Sequence, residues 1–544
     1  MTDEVRYRLL DEPILTIGDA AGRREEQVTL PALYAALVRD AVGDFPALRP
    51  HQRHVWHAFL VQVGALALHR AGLADLPDDA ATWRGLLLGL TPKDADGAAW
   101  ALVSPPARPA LLQPPVPGGA LADFKRRLDT PDALDMLVTA KNHDVKAAVV
   151  NAARPEHWVF ALVSLQTQEG FLGAGNYGVS RMNGGFASRP GFGIAPPGGA
   201  GSRVVRDVRR LLALRSRLLE EYAFFPRAKG VGLVWLEPWD GAASLPMSRL
   251  DPFYVEVCRR VRLVADRADA AVHAVATGSK APRIDAKALS GRTGDPWTPL
   301  MVDGDGRKAL TADAGGLTYR RLVPLLFPSP TDAKAPLRAP LQECAPDDAS
   351  RGLTIIARAL VRGQGKTEGF HERRVPVSRT MRRALGPGAA SDAAARVASE
   401  RVSDAGTLGG KVLFAAALTV YTAAPGEHER KRDDETAKRR AGLAVERLDA
   451  IIDVRFFVDL DAELRVLDEP GAAERVRAEW LLRLRDAAAA ILDDVLAGAP
   501  TAAMRHHRTR VRATRRLAAA FRRHFGERIA AVVDADAPPA ATTP

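Results

Sequence analysis

Residues Leu353 to Val377 read LTIIARALVRGQGKTEGFHERRVPV. An apolar run rich in β-branched residues enters a loop containing Gly363, Gly365 and Gly369, and a charged cluster then leads into a second apolar run. Such runs on either side of a glycine-rich loop predict a β-hairpin. Because glycine has no Cβ, the loop backbone could approach a partner closely, and a narrow polar groove such as the DNA minor groove would suit it. An ordinary basic hairpin turn is the simpler interpretation.

The composition is ordinary for a globular protein, with 47% hydrophobic and 26% charged residues among 544. This length is sufficient for two or more domains, each with its own core. The only cysteines, Cys258 and Cys344, exclude a disulfide framework and a Cys-x-x-Cys zinc site. We therefore predict no metal and no cofactor. The N-terminus lacks the apolar region of a signal peptide and no apolar run is long enough to span a bilayer, so we expect a cytoplasmic protein.

The net charge of +11 favours a polyanionic partner, although the arginine-rich composition of a GC-rich genome explains the same excess. The distribution of charge is more informative than its sum. Between Met504 and Arg528, Glu527 is the only acid. This segment therefore predicts a basic face that binds phosphates, with a merely solvated helix face as the alternative. Its arginines are Arg505, Arg508, Arg510, Arg512, Arg515, Arg516, Arg522, Arg523 and Arg528.

The chain changes character near Gly386. Before this point, helical patterns alternate with short apolar runs bounded by Gly and Pro, and runs such as Val323–Pro328 predict strands. After it, an Ala-, Leu- and Arg-rich sequence with helical periodicity is broken by short Pro- and Gly-containing connections, which predicts an up-down bundle. The predicted helices span residues 391–423, 432–460, 471–497 and 501–532.

We therefore predict an α+β protein in three parts. Residues 1–388 should form a mixed domain with irregular loops and short sheets. Residues 389–533 should form a C-terminal four-helix bundle, and residues 534–544 a disordered tail.

Two glycine-rich motifs resemble nucleotide-binding loops only superficially. The segment Gly173–Gly178, GAGNYG, has the spacing of a dinucleotide fingerprint, but no suitable helix or acidic residue follows it. The sequence GQGKTEG lacks the first glycine of a P-loop, because Leu360 occupies that position. With no catalytic motif elsewhere, we predict that the protein is not an enzyme.

Several motifs, in the same order along the chain, resemble those of the large subunit (CasA type) of the type I-E CRISPR Cascade surveillance complex. The resemblance covers most of the chain, and the shared order of the motifs carries it. These motifs are the opening Tyr7–Ile14, the segments Leu137–Asn151 and Phe171–Gly193, the Trp- and Pro-containing Val234–Trp239 and Gly294–Pro299, the glycine loop before Glu372-Arg373-Arg374, and the helical C-terminus.

The resemblance implies a non-catalytic subunit of an RNA-guided complex. Such a subunit recognises the protospacer-adjacent motif (PAM) of double-stranded DNA from the minor groove, starts duplex opening, stabilises the displaced non-target strand and recruits the helicase–nuclease. The implied partners are PAM-bearing DNA, the 5′ end of the guide RNA, the helicase–nuclease, and the backbone, small and 5′-handle-binding subunits. Two alternatives remain: a guide-independent basic nucleic-acid-binding scaffold protein, and an enzyme whose glycine-rich loops bind a phosphorylated ligand.

Counting back from the Glu-Arg-Arg stretch places the family's minor-groove and wedge positions at residues 366–368. Family members differ there, and some also carry a cysteine cluster that this chain lacks, so the PAM sequence and the wedge residue stay open; Gln364 and Thr367 are the wedge candidates. The implied PAM and DNA contacts are Gln364, Gly365, Lys366, Thr367, Glu368, Lys280, Arg283, Lys287, Asn151 and Arg154. The implied non-target-strand contacts are Arg508, Arg512, Arg515, Arg516, Arg523, Arg439 and Arg440.

Overall fold

The computed structural model describes residues 4–19, 21–135, 152–185, 187–329, 331–348, 352–363, 366–386, 388–422, 435–499 and 503–533. The chain divides into two compact units. The first consists of Met1–Leu317 and Lys334–Val377, and the second of Thr318–Ala333 and Ser378–Pro544. The domain limits inferred from the sequence, 1–388, 389–533 and 534–544, remain predictions.

The first unit mixes helices with short strands, and the predicted α+β class is confirmed. Its helices are α1 (Leu30–Val38), α2 (Arg53–Ala71), α3 (Ala80–Gly89), α4 (Pro131–Leu134), α5 (Pro155–Gln168) and α6 (Ala200–Glu221). Its strands are β1 (Arg6–Arg8), β2 (Leu15–Asp19), β3 (Glu25–Val28), β4 (Val42–Asp44), β5 (Ala101–Val103), β6 (Arg126–Leu128), β7 (Gly191–Ala195), β8 (Val231–Leu233), β9 (Leu245–Pro246), β10 (Leu250–Val255), β11 (Arg260–Ala265), β12 (Val272–Thr277), β13 (Ile284–Asp285), β14 (Leu300–Asp303), β15 (Gly306–Ala309), β16 (Leu353–Gly363) and β17 (Lys366–Val377).

Helix α2 forms the centre of the first unit's core. Every residue from His54 to Leu68 is buried, which is the pattern of a helix surrounded by protein on all sides. Trp56 packs against Phe59 and Phe160, and Phe59 stacks on Trp235. Each of these large aromatic side chains removes a large apolar area from water.

The segment Leu353–Val377 forms the predicted hairpin of β16 and β17, which pair antiparallel from Leu353 opposite Val377 to Gly363 opposite Lys366. Strand β7 pairs with the other side of β16, so the sheet order is β17-β16-β7. The long strand β17 is therefore an edge strand. Its position leaves one side of the hairpin free of further strand pairing within this sheet.

The second unit is helical. Its helices are α7 (Tyr319–Leu326), α8 (Arg379–Ala384), α9 (Ala389–Thr407), α10 (Phe414–Thr422), α11 (Glu435–Arg465), α12 (Ala472–Ala497) and α13 (Ala503–Val533). The four predicted helical stretches are confirmed, with one difference. A π-helical segment, Leu408–Leu413, joins α9 to α10, and it contains Gly409 and Gly410.

The prediction of a strand around Val323–Pro328 is wrong, because Val323 to Leu326 form the end of α7 and Phe327 caps it. A short apolar run does not distinguish a buried strand from a buried helix by its period alone. Long-range packing decides here: the Tyr319 ring stacks on Phe456 with centroids 4.5 Å apart, and the Tyr319 hydroxyl donates to Asp449 over 2.8 Å.

The described ranges contain neither a membrane-spanning helix nor a cluster of metal-binding side chains. None of the helices in these ranges has the length and apolarity required to cross a membrane. In the same ranges, no three His, Cys, Asp or Glu side chains lie close enough to hold a metal ion.

Candidate nucleic-acid interface

The hairpin tip contains a β-bulge. Val361 lies opposite Gly369 while Arg362 lies opposite Thr367, so β17 has one more residue than β16 between these pairs. Gly369 adopts a positive φ of 139°, which favours glycine and accommodates the bulge. The additional residue, Glu368, is exposed and Thr367 is half-buried. Of the other predicted tip residues, Gln364, Gly365 and the side chain of Lys366 lie outside the described residues.

Buried polar contacts anchor the hairpin just below its tip. Arg362 donates to a Glu169 carboxylate oxygen over 2.9 Å, and Arg259 forms a 3.0 Å ion pair with the other oxygen of the same carboxylate. The Ser188 hydroxyl donates to the carbonyl of Leu360. Low dielectric strengthens such charged contacts, so they hold the strands at a defined position. The tip is therefore carried by a rigid base.

The glycine-rich segment that contains GAGNYG lies between helix α5 and strand β7. This order is helix, loop, strand, which differs from the strand, loop, helix of a dinucleotide fingerprint. Two of its glycines allow close backbone packing: a Cβ on Gly178 would lie 2.5 Å from the carbonyl carbon of Gly170. Asn176 is exposed, whereas Arg181 is buried with its guanidinium 4.0 Å from the Tyr254 ring centroid.

Lys280 is brought to the glycine-rich segment by backbone contacts. The amide of Ser279 donates to the Gly175 carbonyl over 3.1 Å, and the Tyr177 hydroxyl donates to the Lys280 carbonyl over 3.2 Å. The Lys280 side chain is exposed. No ion pair joins it to an acid in the described part of the chain, so its ammonium is available to an external anion.

Arg283 and Lys287 have different environments. Arg283 is 3% exposed and donates to the backbone carbonyls of Val234 and Glu237 over 3.3 and 2.7 Å. Its guanidinium also lies 5.3 Å from the Trp239 ring centroid, and burial lowers its pKa to about 10. Arg283 therefore has a structural role: it connects its own loop to the backbone of residues 234–237. Lys287 begins a single 3-10 turn and is exposed.

Arg154 is the N-cap residue of helix α5. Its amide donates to Nδ1 of His157 over 3.1 Å, and its guanidinium pairs with Glu156 over 2.7 Å. The Arg154 side chain is half exposed. Asn151 lies outside the described residues.

Five of the exposed arginines of α13 define the basic face of the second unit: Arg508, Arg512, Arg515, Arg516 and Arg523. Arg510 and Arg528 are also exposed, but they form ion pairs with Asp493 and Asp404. A buried stripe faces the other way at i+4 spacing. The stripe consists of Thr509, Ala513, Leu517, Phe521 and Phe525, each 5% exposed or less. Because the buried stripe occupies one face of the helix, the arginines lie on the opposite, exposed face. Among the residues that the structure describes, none of these five arginines forms an ion pair with an acid.

The predicted contribution of Arg439 and Arg440 has partial geometric support. Arg516 donates to the Thr419 hydroxyl over 3.3 Å, and the Arg440 guanidinium lies 5.8 Å from the Tyr421 ring centroid. Both contacts are made to the last turns of α10, so Arg440 and Arg516 flank the same short stretch of helix. Arg439 is exposed at the start of α11.

In the first unit, the structure joins three separate sequence segments. The glycine-rich segment contacts the backbone next to Lys280. Glu169, which precedes the glycine-rich segment, binds Arg362 of the hairpin. Sequence reasoning missed Glu169 and Arg362. The available signal was an arginine within an otherwise apolar strand, since such a charge requires a buried partner.

Comparisons with known proteins agree on one fold. No protein-family model and no curated protein sequence matches the chain. Among solved structures, the CRISPR-associated protein Cse1 from Acidimicrobium ferrooxidans has a TM-score of 0.65 at 18% identity, over 97% of this chain and 99% of that one. Cse1 from Thermobifida fusca has a TM-score of 0.63 at 14% identity, over 96% and 98%. CasA (Cse1) from Thermus thermophilus has a TM-score of 0.61 at 17% identity, over 96% and 100%.

These likenesses extend along the chain and leave no large part of either protein unmatched. They include the short sheets and the C-terminal helices whose bounds are given above. The chain therefore has the fold of the Cse1 and CasA (Cse1) structures.

Proposed function

We propose that this chain is the large subunit of a type I-E CRISPR Cascade, a cytoplasmic, non-catalytic protein that works within an RNA-guided complex. The observation that carries the proposal is the end-to-end match to Cse1 and CasA structures, at 96% to 97% of this chain. The ordered sequence motifs support the same assignment independently of the fold.

In the proposed mechanism, the hairpin tip reads the PAM from the minor groove. The bulge and the anchored base support this role, because a reading loop needs a defined position relative to the DNA. The exposed Lys280 and Lys287 would supply phosphate or groove contacts, and Arg154, at the N-terminus of α5, would supply another. Arg283 is buried and we propose no DNA contact for it. Minor-groove readout is degenerate, so several related PAM sequences should be accepted.

Once the PAM is bound, a side chain of the tip would intrude between adjacent base pairs and start duplex opening. Gln364 and Thr367 remain the candidates. Pairing with the guide RNA would then take over sequence recognition, as in other RNA-guided systems. The subunit would also contact the 5′ end of the guide RNA and the other Cascade subunits, and it would recruit the helicase–nuclease.

The basic face of α13 would hold the displaced non-target strand. The five arginines that define this face form no ion pair with an acid in the described ranges, so phosphates can neutralise them without competition from the protein's own carboxylates. The same observation also favours a second function, a scaffold protein that binds nucleic acid without a guide. The two functions differ in what binding requires: the first needs the complete guide complex, and the second needs this chain alone.

The deciding experiment measures duplex binding by the guide-RNA complex assembled with and without this chain. Two targets are compared that differ only in the flanking trinucleotide. The proposal expects tight binding only when the chain and one permitted flank are both present. Binding by the isolated chain that is equally tight for both flanks would instead establish the scaffold function.

A further inference from the structure

A cavity of about 390 Å³ opens in the first unit behind the hairpin base. One wall comes from β16, where Thr354, Ile356 and Arg358 alternate with strand periodicity and therefore share a face. The opposite wall comes from the ends of α2 and α6. Arginines line it at four positions that are far apart in sequence, Arg53, Arg203, Arg358 and Arg374. This volume is within the range of small-ligand sites.

Arg203 and Arg358 are the two buried arginines of the four. Arg203 carries an orphaned donor. It is 7% exposed, and its Nε has no hydrogen-bond partner in the described structure. The nearest acid, Asp207, is 4.0 Å from that nitrogen and is already bonded to His57 over 2.8 Å. Glycine in β7 makes room for the guanidinium, because a Cβ on Gly193 would lie 3.3 Å from Nη2 of Arg203. A buried donor without an acceptor is costly unless a ligand supplies one.

The positive charges at the cavity exceed the carboxylates that neutralise them. Glu372 is shared: it accepts from Arg358 over 2.7 Å and lies 3.5 Å from Arg374. In the described part of the chain, no acid is in ion-pair contact with Arg53. Burial, followed by the repulsion of Arg358 and other arginines, lowers the pKa of Arg203 to about 10. An anion in the cavity would relieve this repulsion.

Asp40 offsets part of the positive field at the α6 N-terminus. Two amides there, those of Gly199 and Ser202, donate to its carboxylate. An acidic side chain, Asp44, also lines the cavity. The arginine side chains supply full positive charges, and three or four guanidiniums match the oxygens of a phosphate group better than a single carboxylate.

We propose that this cavity is a binding site for a phosphate group carried by a small phosphorylated molecule or by the end of a polynucleotide. Arg203 binds the phosphate at the bottom of the site, and Arg53, Arg358 and Arg374 enclose it from the α2 and hairpin sides. Phe45 and Trp56, which also line the cavity, form an apolar surface for the rest of the ligand. This inference does not depend on the proposed role in Cascade.

The test measures binding of pyrophosphate to the full chain by calorimetry. The main variant combines Arg53→Ala with Arg374→Ala, because both side chains are exposed and their loss should leave the core intact. Loss of two charge-assisted contacts should weaken binding at least about tenfold. Arg203→Gln should abolish binding, and Arg209→Ala, on the exposed side of α6, is the matched control that should change nothing.

Competition separates the two sources of phosphate. A 5′-phosphorylated oligonucleotide that displaces pyrophosphate, while its 5′-hydroxyl form does not, would assign the site to a polynucleotide end. Failure of both oligonucleotides to displace bound pyrophosphate would assign it to a small molecule. The proposal is overturned if pyrophosphate does not bind at millimolar concentration, or if the Arg53→Ala, Arg374→Ala variant binds it as tightly as the unmodified chain. If Arg203→Gln fails to fold, the double variant decides alone.

Discussion

Arg362 and Glu169, 193 residues apart in sequence, form a buried 2.9 Å hydrogen bond inside the first unit. The contact joins the last part of β16 to the residue that follows α5. Both side chains are 5% exposed or less, and the same carboxylate also binds Arg259. The position of the hairpin tip therefore depends on a carboxylate outside the hairpin.

Glu169→Gln should loosen the hairpin. The change removes the charge that neutralises Arg362 and Arg259, and breaking a buried ion pair on one side typically costs about 3 to 5 kcal/mol. Hydrogen exchange of the β16 amides should become faster by the corresponding factor. Glu220→Gln, an exposed acid on α6, is the control. Unchanged exchange in β16 would show that the ion pair does not anchor the hairpin.

Gly365→Asp with Lys366→Ala should impair PAM recognition. An added carboxylate is repelled by DNA, and a lost groove contact typically costs about 1 to 3 kcal/mol. Within the assembled complex, affinity for PAM-bearing duplex should fall, while affinity for a matching single strand should be unchanged. Lys125→Ala removes an exposed charge elsewhere in the unit and serves as the control. Equal loss on both substrates would rule out a PAM role for the tip.

Arg508→Glu, Arg512→Glu and Arg516→Glu together should weaken capture of the displaced strand. Each lost phosphate contact reduces the slope of log K against log salt by about 0.7 for single strands, so three should reduce it by about 2. Binding is measured across a salt titration. The charge-matched control carries Arg396→Glu, Arg455→Glu and Arg475→Glu, at three other exposed arginines of the second unit. A slope equal to that control would identify the basic face as merely solvated.

Asp295 should make the first unit sensitive to acid. Burial opposes its ionisation, but the Arg189 guanidinium, 2.6 Å away, outweighs burial and lowers the pKa of Asp295 to about 2. An unfolded aspartate has a pKa of about 3.9, so the unfolded state takes up the proton first as the pH falls from about 4 to 2. About 2 to 3 kcal/mol of stability should be lost over that range.

Thermal unfolding of Asp295→Asn between pH 5 and pH 2 checks this expectation. The variant should start less stable, because Arg189 loses its partner, and its midpoint should fall less on acidification. Asp75→Asn, an exposed aspartate, should follow the unmodified protein. Parallel curves for Asp295→Asn and the unmodified protein would contradict the assignment.

Short sequence patterns predicted the elements whose formation depends mainly on neighbouring residues. The apolar runs and glycines of residues 353–377 indicated the hairpin, and the Ala- and Leu-rich periodicity indicated the bundle. Contacts between distant residues were not predictable. Arg283 has the sequence context of a basic surface loop, yet carbonyls from residues 234–238 enclose it.

The cavity arginines illustrate the same limit. More than 300 residues separate Arg53 from Arg358. No window of sequence contains both, so their convergence is visible only after folding. An alternating strand pattern could place Arg358 and Thr354 on one face, but it could not show that α2 and α6 cover that face.

The extra residue, Glu368, changes which face of the sheet each β17 side chain lies on. Because strand side chains alternate with a period of two, one inserted residue exchanges the faces on which all later positions appear. Here the exchange is absorbed between Val361 and Arg362, close to the turn. The pairs from Val361 opposite Gly369 to Leu353 opposite Val377 thus keep one register, and the base of the hairpin, which lines the cavity, alternates regularly. Substitutions that keep the length of the tip should therefore leave the core beneath it undisturbed.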